Sequence, residues 1–241
     1  MWSCGSTSAL VAAVTLGWPI GSVQAQGPCF TSTGELWLAV QQYVTQGNAS
    51  FEFLEPSYGW PIGSWCVRDV TNFTGIFQGR ETFNEPLDGW DVSAATTMAY
   101  MFDDALSFDQ PLNSWQVSRV TDFTAMFQRA KSFNNNIQNW DVSNAVTMER
   151  MFQGANFFDQ SLNNWQVGRV TNFDSMFNMA TSFNSLIDNW NTGSAESMVQ
   201  MFQNAVLFDQ PLGRWNVSKG KCVVRASGFI VSVCLWVNLP E

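Results

Sequence analysis

Tryptophan recurs at a fixed step of 25 residues through most of this chain. The seven positions are Trp65, Trp90, Trp115, Trp140, Trp165, Trp190 and Trp215. Two phenylalanine columns keep the same step, and they are Phe77, Phe102, Phe127, Phe152, Phe177 and Phe202 together with Phe83, Phe108, Phe133, Phe158, Phe183 and Phe208. Self-similarity at such a period is typical of repeat architectures, in which similar coils stack along one axis.

The apolar spacing changes within each repeat, and this change predicts secondary structure. Trp140 and Val142 alternate with Asp141 and Ser143, which is the two-residue period of a strand with one buried face. The next apolar residues follow at steps of three and four, namely Ala145, Met148, Met151, Phe152 and Ala155. This spacing predicts a short helix, with Thr147 near its N-cap.

A unit of 25 residues cannot bury its apolar face alone, so neighbouring coils must share a continuous core. The returning tryptophan is therefore predicted to be a buried packing contact rather than a ligand platform. The fold class predicted from these patterns is α/β: a solenoid of six full strand-plus-short-helix coils, with parallel strands and an N-terminal helical cap.

A second period of 50 residues alternates acids with amides. The residue after tryptophan runs Asp91, Gln116, Asp141, Gln166 and then Asn191. A second column behaves similarly and consists of Asn84, Asp109, Asn134, Asp159, Asn184 and Asp209. Outward residues of adjacent parallel strands lie about 4.8 Å apart, where two carboxylates repel by roughly 1 kcal/mol in water. The alternation avoids that repulsion and indicates an ancestral unit of two coils.

Charge and composition exclude several function classes. The net charge is −9, the sequence pI is about 4.4, and histidine is absent. Such a chain repels nucleic-acid backbones and anionic lipid surfaces, so neither is an expected partner. Without histidine it lacks the commonest general base and the commonest zinc ligand. We expect no cofactor, no metal site and no enzymatic activity.

The repeat pattern resembles a known family. The motif L-x-x-W-[DQN]-V-[SG]-x-[VA]-x-x-[MF]-x-x-M-F-x-x-A-x-x-F-[DN]-Q covers residues 65–218 and is similar to the BspA-type leucine-rich repeat of bacterial and microbial eukaryotic surface proteins. The segment from Phe30 to Trp65 resembles the entry to such arrays, with a capping helix at about residues 34–46. The resemblance implies a leucine-rich-repeat-like solenoid with a surface interaction or adhesion role. Cys66, Ile76 and Thr192 depart from the pattern.

The two ends differ from the repeats. Residues 1–25 are predicted to be a secretory signal peptide ending at Ala25. The alternative, a transmembrane helix, is interrupted by Gly17, Pro19 and Gly21 in a run that is already too short. Residues 26–64 form the predicted capping segment, and residues 219–241 an irregular apolar tail. That tail either covers the last coil or comes from a reading frame that has entered non-coding sequence.

Secretion fits the cysteines and the glycosylation motifs. Cys29 and Cys66 are hypothesised to form a disulfide that ties the cap to the first coil, with two unpaired buried thiols as the alternative. N-glycosylation motifs begin at Asn48, Asn72 and Asn216. The expected location is therefore the cell surface or the extracellular space, with no membrane insertion after signal cleavage.

The proposed binding residues lie on the predicted strand face, and they are Asp91, Ser93, Gln116, Ser118, Asp141, Ser143, Gln166 and Asn191. A flat polar ladder suits an extended extracellular protein or glycan. One alternative is a structural scaffold that faces matrix, mineral or ice, including calcium bridging between acids and amides. An enzyme would need a carboxylate pair such as Asp109 with Asp159 or Asp91 with Asp141. Those pairs are expected about 10 Å apart, beyond the roughly 6.5–9.5 Å of inverting glycosidases.

Overall fold

The computed structural model describes residues 28–46, 58 and 61–219. Its regular elements are one α-helix, α1, over Thr33–Gln46 and one 3-10 turn over Ile62–Ser64. Between residues 65 and 219 the chain forms turns and extended segments, without α-helix or named strand. Isolated parallel bridges join neighbouring coils, in the series Asn72, Thr97, Asp122, Thr147, Asn172 and Ser197. The predicted α/β fold of strand-plus-helix coils is therefore wrong.

Consecutive β-turns occupy the segment that was predicted to be helical. In the first coil, Ile76 N donates to Phe73 O, Gln78 N to Gly75 O, and Arg80 N to Phe77 O. Gly75 and the glycine four residues later have φ of 65° and 70°. A right-handed helix cannot pass through such left-handed residues. The apolar steps of three and four remain, because successive turns also return side chains to the core at those intervals.

The left-handed conformation recurs ten and fourteen residues after each repeat tryptophan from Trp65 to Trp190. It includes nine residues that are not glycine: Tyr100, Asp104, Ala125, Arg129, Arg150, Ser175, Met179, Gln200 and Asn204. Such a backbone costs an ordinary residue roughly 1–2 kcal/mol. It persists because the surrounding coil-to-coil hydrogen bonds determine it.

Backbone hydrogen bonds between coils replace both the predicted helix and the predicted sheet. In the first coil four N–H groups donate to the next coil, in the pairs Phe73 to Thr97, Gly75 to Ala99, Phe77 to Met101 and Gly79 to Asp103, at 2.7–3.0 Å. Later coils repeat these pairs in the same direction. Two other columns run oppositely, as in Thr96 N to Thr71 O (2.7 Å) and Ser107 N to Glu81 O (2.9 Å).

The Trp-x-Val-Ser segment also differs from its prediction. Turns bound it, since Trp140 N donates to Ile137 O and Ala145 N donates to Val142 O. Trp140 and Val142 are buried while Asp141 is exposed. The inward and outward alternation is thus confirmed, although no strand ladder accompanies it within the described repeats.

The aromatic columns form the core, as predicted. All seven repeat tryptophans are at most 8% exposed. Successive indoles from Trp115 to Trp215 stack at 5.9–6.5 Å with their planes within 4° of parallel. Each indole N–H from Trp90 onward donates to a carbonyl of the preceding coil, at 2.8–3.2 Å. The tryptophan therefore returns at every repeat because each coil needs both the ring contact and this hydrogen bond.

The N-terminal segment covers the first tryptophan. α1 buries Leu36 and Val40 and lies where the capping helix was predicted. Ser32 Oγ accepts a hydrogen bond from Glu35 N and thereby caps the helix. The ring of Phe30 lies 5.3 Å from that of Trp65.

A disulfide joins Cys29 to Cys66, with their Cα atoms 4.5 Å apart. It is the bond that the sequence hypothesis named, and it attaches the segment before α1 to the first coil. The predicted signal peptide, the Asn48 motif and the tail from residue 220 lie outside the described residues. Among the described residues, α1 has 14 residues and no membrane-spanning helix is found.

Candidate binding surfaces

The residues proposed for binding lie at the surface of successive coils. We call them the polar row: Asp91, Ser93, Gln116, Ser118, Asp141, Ser143, Gln166 and Asn191. Six are exposed, whereas Ser118 and Ser143 are half-buried. The three serines lie in turns and the other five residues in the irregular segment just before each turn, so the row does not lie on a strand face.

The acids and the asparagine of the polar row hold local turns. Asp91 Oδ1 accepts from Ser93 N at 3.0 Å, and Asp141 Oδ1 accepts from Ser143 N at 3.0 Å. Asn191 Oδ1 makes the same bond with the backbone N–H two residues later, at 3.1 Å. These are Asx-turns, in which a short side chain replaces a backbone acceptor. Both carboxylates remain exposed, so they can also be reached by a partner.

The glutamines of the polar row behave differently. Gln116 Nε2 donates to Ser114 O at 3.4 Å, and Gln166 Nε2 donates to Asn164 O at 3.3 Å. Each glutamine therefore uses its amide N–H group for the local bond, whereas its amide oxygen does not hold a turn. Along the row, carboxylate and amide acceptors alternate from coil to coil.

Local hydrogen bonds keep the acids of the polar row ionised. The Ser143 hydroxyl, followed by the Ser143 backbone N–H, lowers the pKa of Asp141. The Ser93 hydroxyl and backbone N–H act in the same way on the pKa of Asp91, with a further contribution from Arg68. A carboxyl whose pKa is depressed is a poor general acid near neutral pH.

The lowered pKa of Asp141 makes a prediction about pH. Because the folded state favours the carboxylate, this group stabilises the fold above its unfolded pKa, and that contribution is lost as pH falls through the lower folded pKa. We expect carboxyl NMR titration to give a midpoint below the ordinary aspartate value. Ser143→Ala should raise that midpoint. A midpoint at or above the ordinary value in the wild type would contradict the prediction.

The second acid and amide column links coils to one another. Asp109 Oδ1 accepts from Asn134 N (2.9 Å) and Asn135 Nδ2 (2.7 Å). Asp159 Oδ1 accepts from Asn184 N at 2.8 Å. Asparagines in the same column accept the equivalent backbone N–H, so one oxygen is enough for the structural role. Asp109 and Asp159, considered above as a carboxylate pair, thus serve as coil-to-coil acceptors.

A cavity of about 470 Å³ is lined by other residues of the stack, and the sequence analysis did not predict it. Arg129, Lys131 and Arg150 line it together with polar side chains and Met179. The repeat register places Arg129 and Lys131 on one coil and Arg150 on the next. This placement of three cations on adjacent coils was the signal in the sequence that could have predicted the cavity. No group of three or more potential metal-ligating residues occurs in the part of the chain that the structure describes.

Comparison with known proteins identifies one family. The family described as "Mycoplasma protein of unknown function, DUF285" matches residues 45–162 and 135–226. No curated protein and no solved structure matches the chain. The two overlapping matches span most of the sequence, including every tryptophan repeat. The chain therefore belongs to the DUF285 family.

Proposed function

We propose that this protein is a non-enzymatic interaction module, secreted or displayed at the cell surface, that binds an extended extracellular protein or glycan along the polar row. The observation that carries the proposal is the repetition of outward hydrogen-bonding groups, once per coil, above a rigid aromatic core. A partner of matching period can make many weak contacts in register, and linked contacts strengthen one another through effective concentration.

The chemistry of the polar row indicates what its partner must supply. Asp91 and Asp141 present carboxylate oxygens, while Gln116 and Gln166 present amide oxygens. The partner should therefore be rich in hydroxyl, amide or cationic donors. The lowered pKa values of both acids, and the absence of convergence on one point, support binding rather than catalysis.

Family membership supports a surface location. DUF285 overlaps with the BspA-like surface proteins. We also propose that these repeats are of the BspA type and that the protein has an adhesive role. Glycosylation at the exposed Asn72 and Asn216 would be consistent with it.

One observation favours a structural scaffold as the second candidate. Asp91, Asp141 and Asn191 already use one oxygen to hold their own turns. If the row serves only to order the surface, it needs no ligand. Binding experiments on the row separate the two functions.

Removing the two charges of the polar row is expected to weaken partner binding at least tenfold. Asp91→Asn with Asp141→Asn preserves the Asx-turns, since Asn191 makes the same bond, and removes the carboxylates. Arrays of extracellular matrix proteins and glycans would identify a ligand, and calorimetry would measure its affinity. Glu81→Gln with Glu196→Gln is the matched control, because both residues are exposed and lie outside the row.

Two outcomes would reject the proposal. If the Asp91→Asn, Asp141→Asn variant binds its ligand as tightly as the wild type, the polar row is not the binding surface. If the folded wild type binds nothing on the arrays, the scaffold function is favoured instead.

A further inference from the structure

The cavity described above, here called the basic groove, is unusual for so acidic a chain. Three of the eleven Lys and Arg residues line it, namely Arg129, Lys131 and Arg150, although the net charge is −9. None of its lining residues is acidic. All charged side chains of the lining itself are therefore cationic, although Arg129 and Arg150 pair with carboxylates outside the lining.

A missing side chain opens the basic groove. Gly154 occupies the same repeat position as Arg129 on the preceding coil and Met179 on the following one, and its φ is 69°. A Cβ at Gly154 would lie 3.3 Å from Arg129 Cγ and 3.7 Å from Arg129 Cα. The Arg129 side chain thus passes close to the glycine, and the gap in the column becomes part of the cavity.

Ion pairs behind the groove fix the two arginines. Arg129 Nη2 lies 2.6 Å from Asp104 Oδ2 and 3.1 Å from Asp103 Oδ1. Arg150 Nη2 lies 3.3 Å from Glu149 Oε1. These acids hold the guanidinium groups in place without lining the cavity themselves. Lys131 has no ion pair within the described residues and is exposed, so its ammonium is available to a ligand.

The remaining lining supplies hydrogen bonds and one apolar contact. Gln128 Nε2 donates to Gln153 Oε1 at 2.8 Å, which leaves the oxygen of Gln128 and the amide N–H₂ of Gln153 for a ligand. Ser175 and Gln200 add a hydroxyl and a second amide. Met179, half exposed, offers an apolar surface. Amides, a hydroxyl and an apolar patch beside cations match a ring that carries hydroxyls and a carboxylate.

We propose that the basic groove binds a carboxylated sugar of an acidic glycan. The carboxylate pairs with Lys131 and Arg150, the ring hydroxyls bond to the glutamine amides, and the C–H face of the ring packs on Met179. A volume of about 470 Å³ falls within the roughly 300–1,000 Å³ of small-ligand pockets. Inorganic phosphate would leave the amides and Met179 unused. This site shares no residue with the polar row and does not depend on it.

Calorimetric titration of the full chain tests the proposal with tri-galacturonate as the probe. We expect tri-galacturonate to bind, and the neutral trimer of galactose to bind at least tenfold more weakly. Lys131→Gln with Arg150→Gln should weaken tri-galacturonate binding at least tenfold. Arg119→Gln with Arg169→Gln is the matched control, because it removes two exposed cations outside the groove and should leave the affinity unchanged.

Several outcomes would overturn the proposal: equal affinity in the groove variant, equal affinity for the neutral trimer, or equally tight binding of inorganic phosphate or a hexa-aspartate peptide. Protection of Lys131 from reductive methylation provides a measurement that needs no variant. Saturating tri-galacturonate should slow its labelling at least severalfold in the wild type. An unchanged labelling rate would reject the site even if the variant failed to fold.

Discussion

Trp140→Ala is expected to lower the free energy of unfolding by about 5 kcal/mol. Trp140 is 3% exposed and stacks on Trp115 at 6.5 Å and Trp165 at 6.4 Å. Truncation of a buried tryptophan typically costs about 3–5 kcal/mol. The change also removes the 2.9 Å indole hydrogen bond to Leu112 O, which keeps its bond from Trp115 N, and the loss of one such bond adds about 0.5–1.5 kcal/mol.

Urea denaturation followed by circular dichroism would measure this loss. The matched control is Trp37→Ala, because Trp37 lies on α1 and is 43% exposed. We expect the control to cost less than about 1 kcal/mol, as is usual for surface substitutions. Equal losses for the two variants would show that the stacked indoles do not dominate the stability of the repeats.

Loss of the Cys29–Cys66 disulfide is expected to release the N-terminal segment while the central coils stay folded. The bond closes a sequence separation of 37 residues, for which the chain-entropy model gives about 4 kcal/mol. Each coil of a stack contacts only its neighbours. The destabilisation should therefore concentrate on α1 and the first coil.

Hydrogen exchange with mass spectrometry would locate the effect. After replacement of both cysteines by serine, amides of α1 should exchange at least a hundredfold faster, whereas those of residues 120–180 should keep their protection. Reductant added to this variant should cause no further change, which isolates this disulfide from other cysteines. Unaltered exchange in α1 would contradict a stabilising role for the bond.

The core could be predicted from sequence because its cause is local and repeated. A tryptophan and two phenylalanines every 25 residues require stacking whatever the backbone does. The secondary structure could not be predicted from sequence in this way. Tyr100 and Arg150 adopt positive φ, and nothing in their residue types indicates it. Hydrogen bonds between coils, such as Phe73 N to Thr97 O, fix that conformation. The spacing of apolar residues within one repeat does not reveal such bonds.

The two surfaces differ in the same way. The polar row repeats with the tryptophans, so its exposure at Asp91 or Asp141 followed from register alone. Its Asx-turns were hidden, because a strand was expected there. The basic groove needs Gly154 on one coil beside Arg129 on another. Such a gap becomes visible only when neighbouring coils are aligned in space.

The unequal number of hydrogen-bond columns in the two directions has a consequence for the ends of the stack. Four columns of backbone N–H groups point toward the C-terminal end, whereas two backbone columns and the column of Asp109 and Asn134 point the other way. The peptide dipoles therefore cancel only in part, and carbonyl acceptors outnumber N–H donors at the N-terminal end of the stack. Its two ends need chemically different caps. The Thr33 hydroxyl, which donates to Asn72 O at 2.6 Å, meets that requirement at the acceptor end.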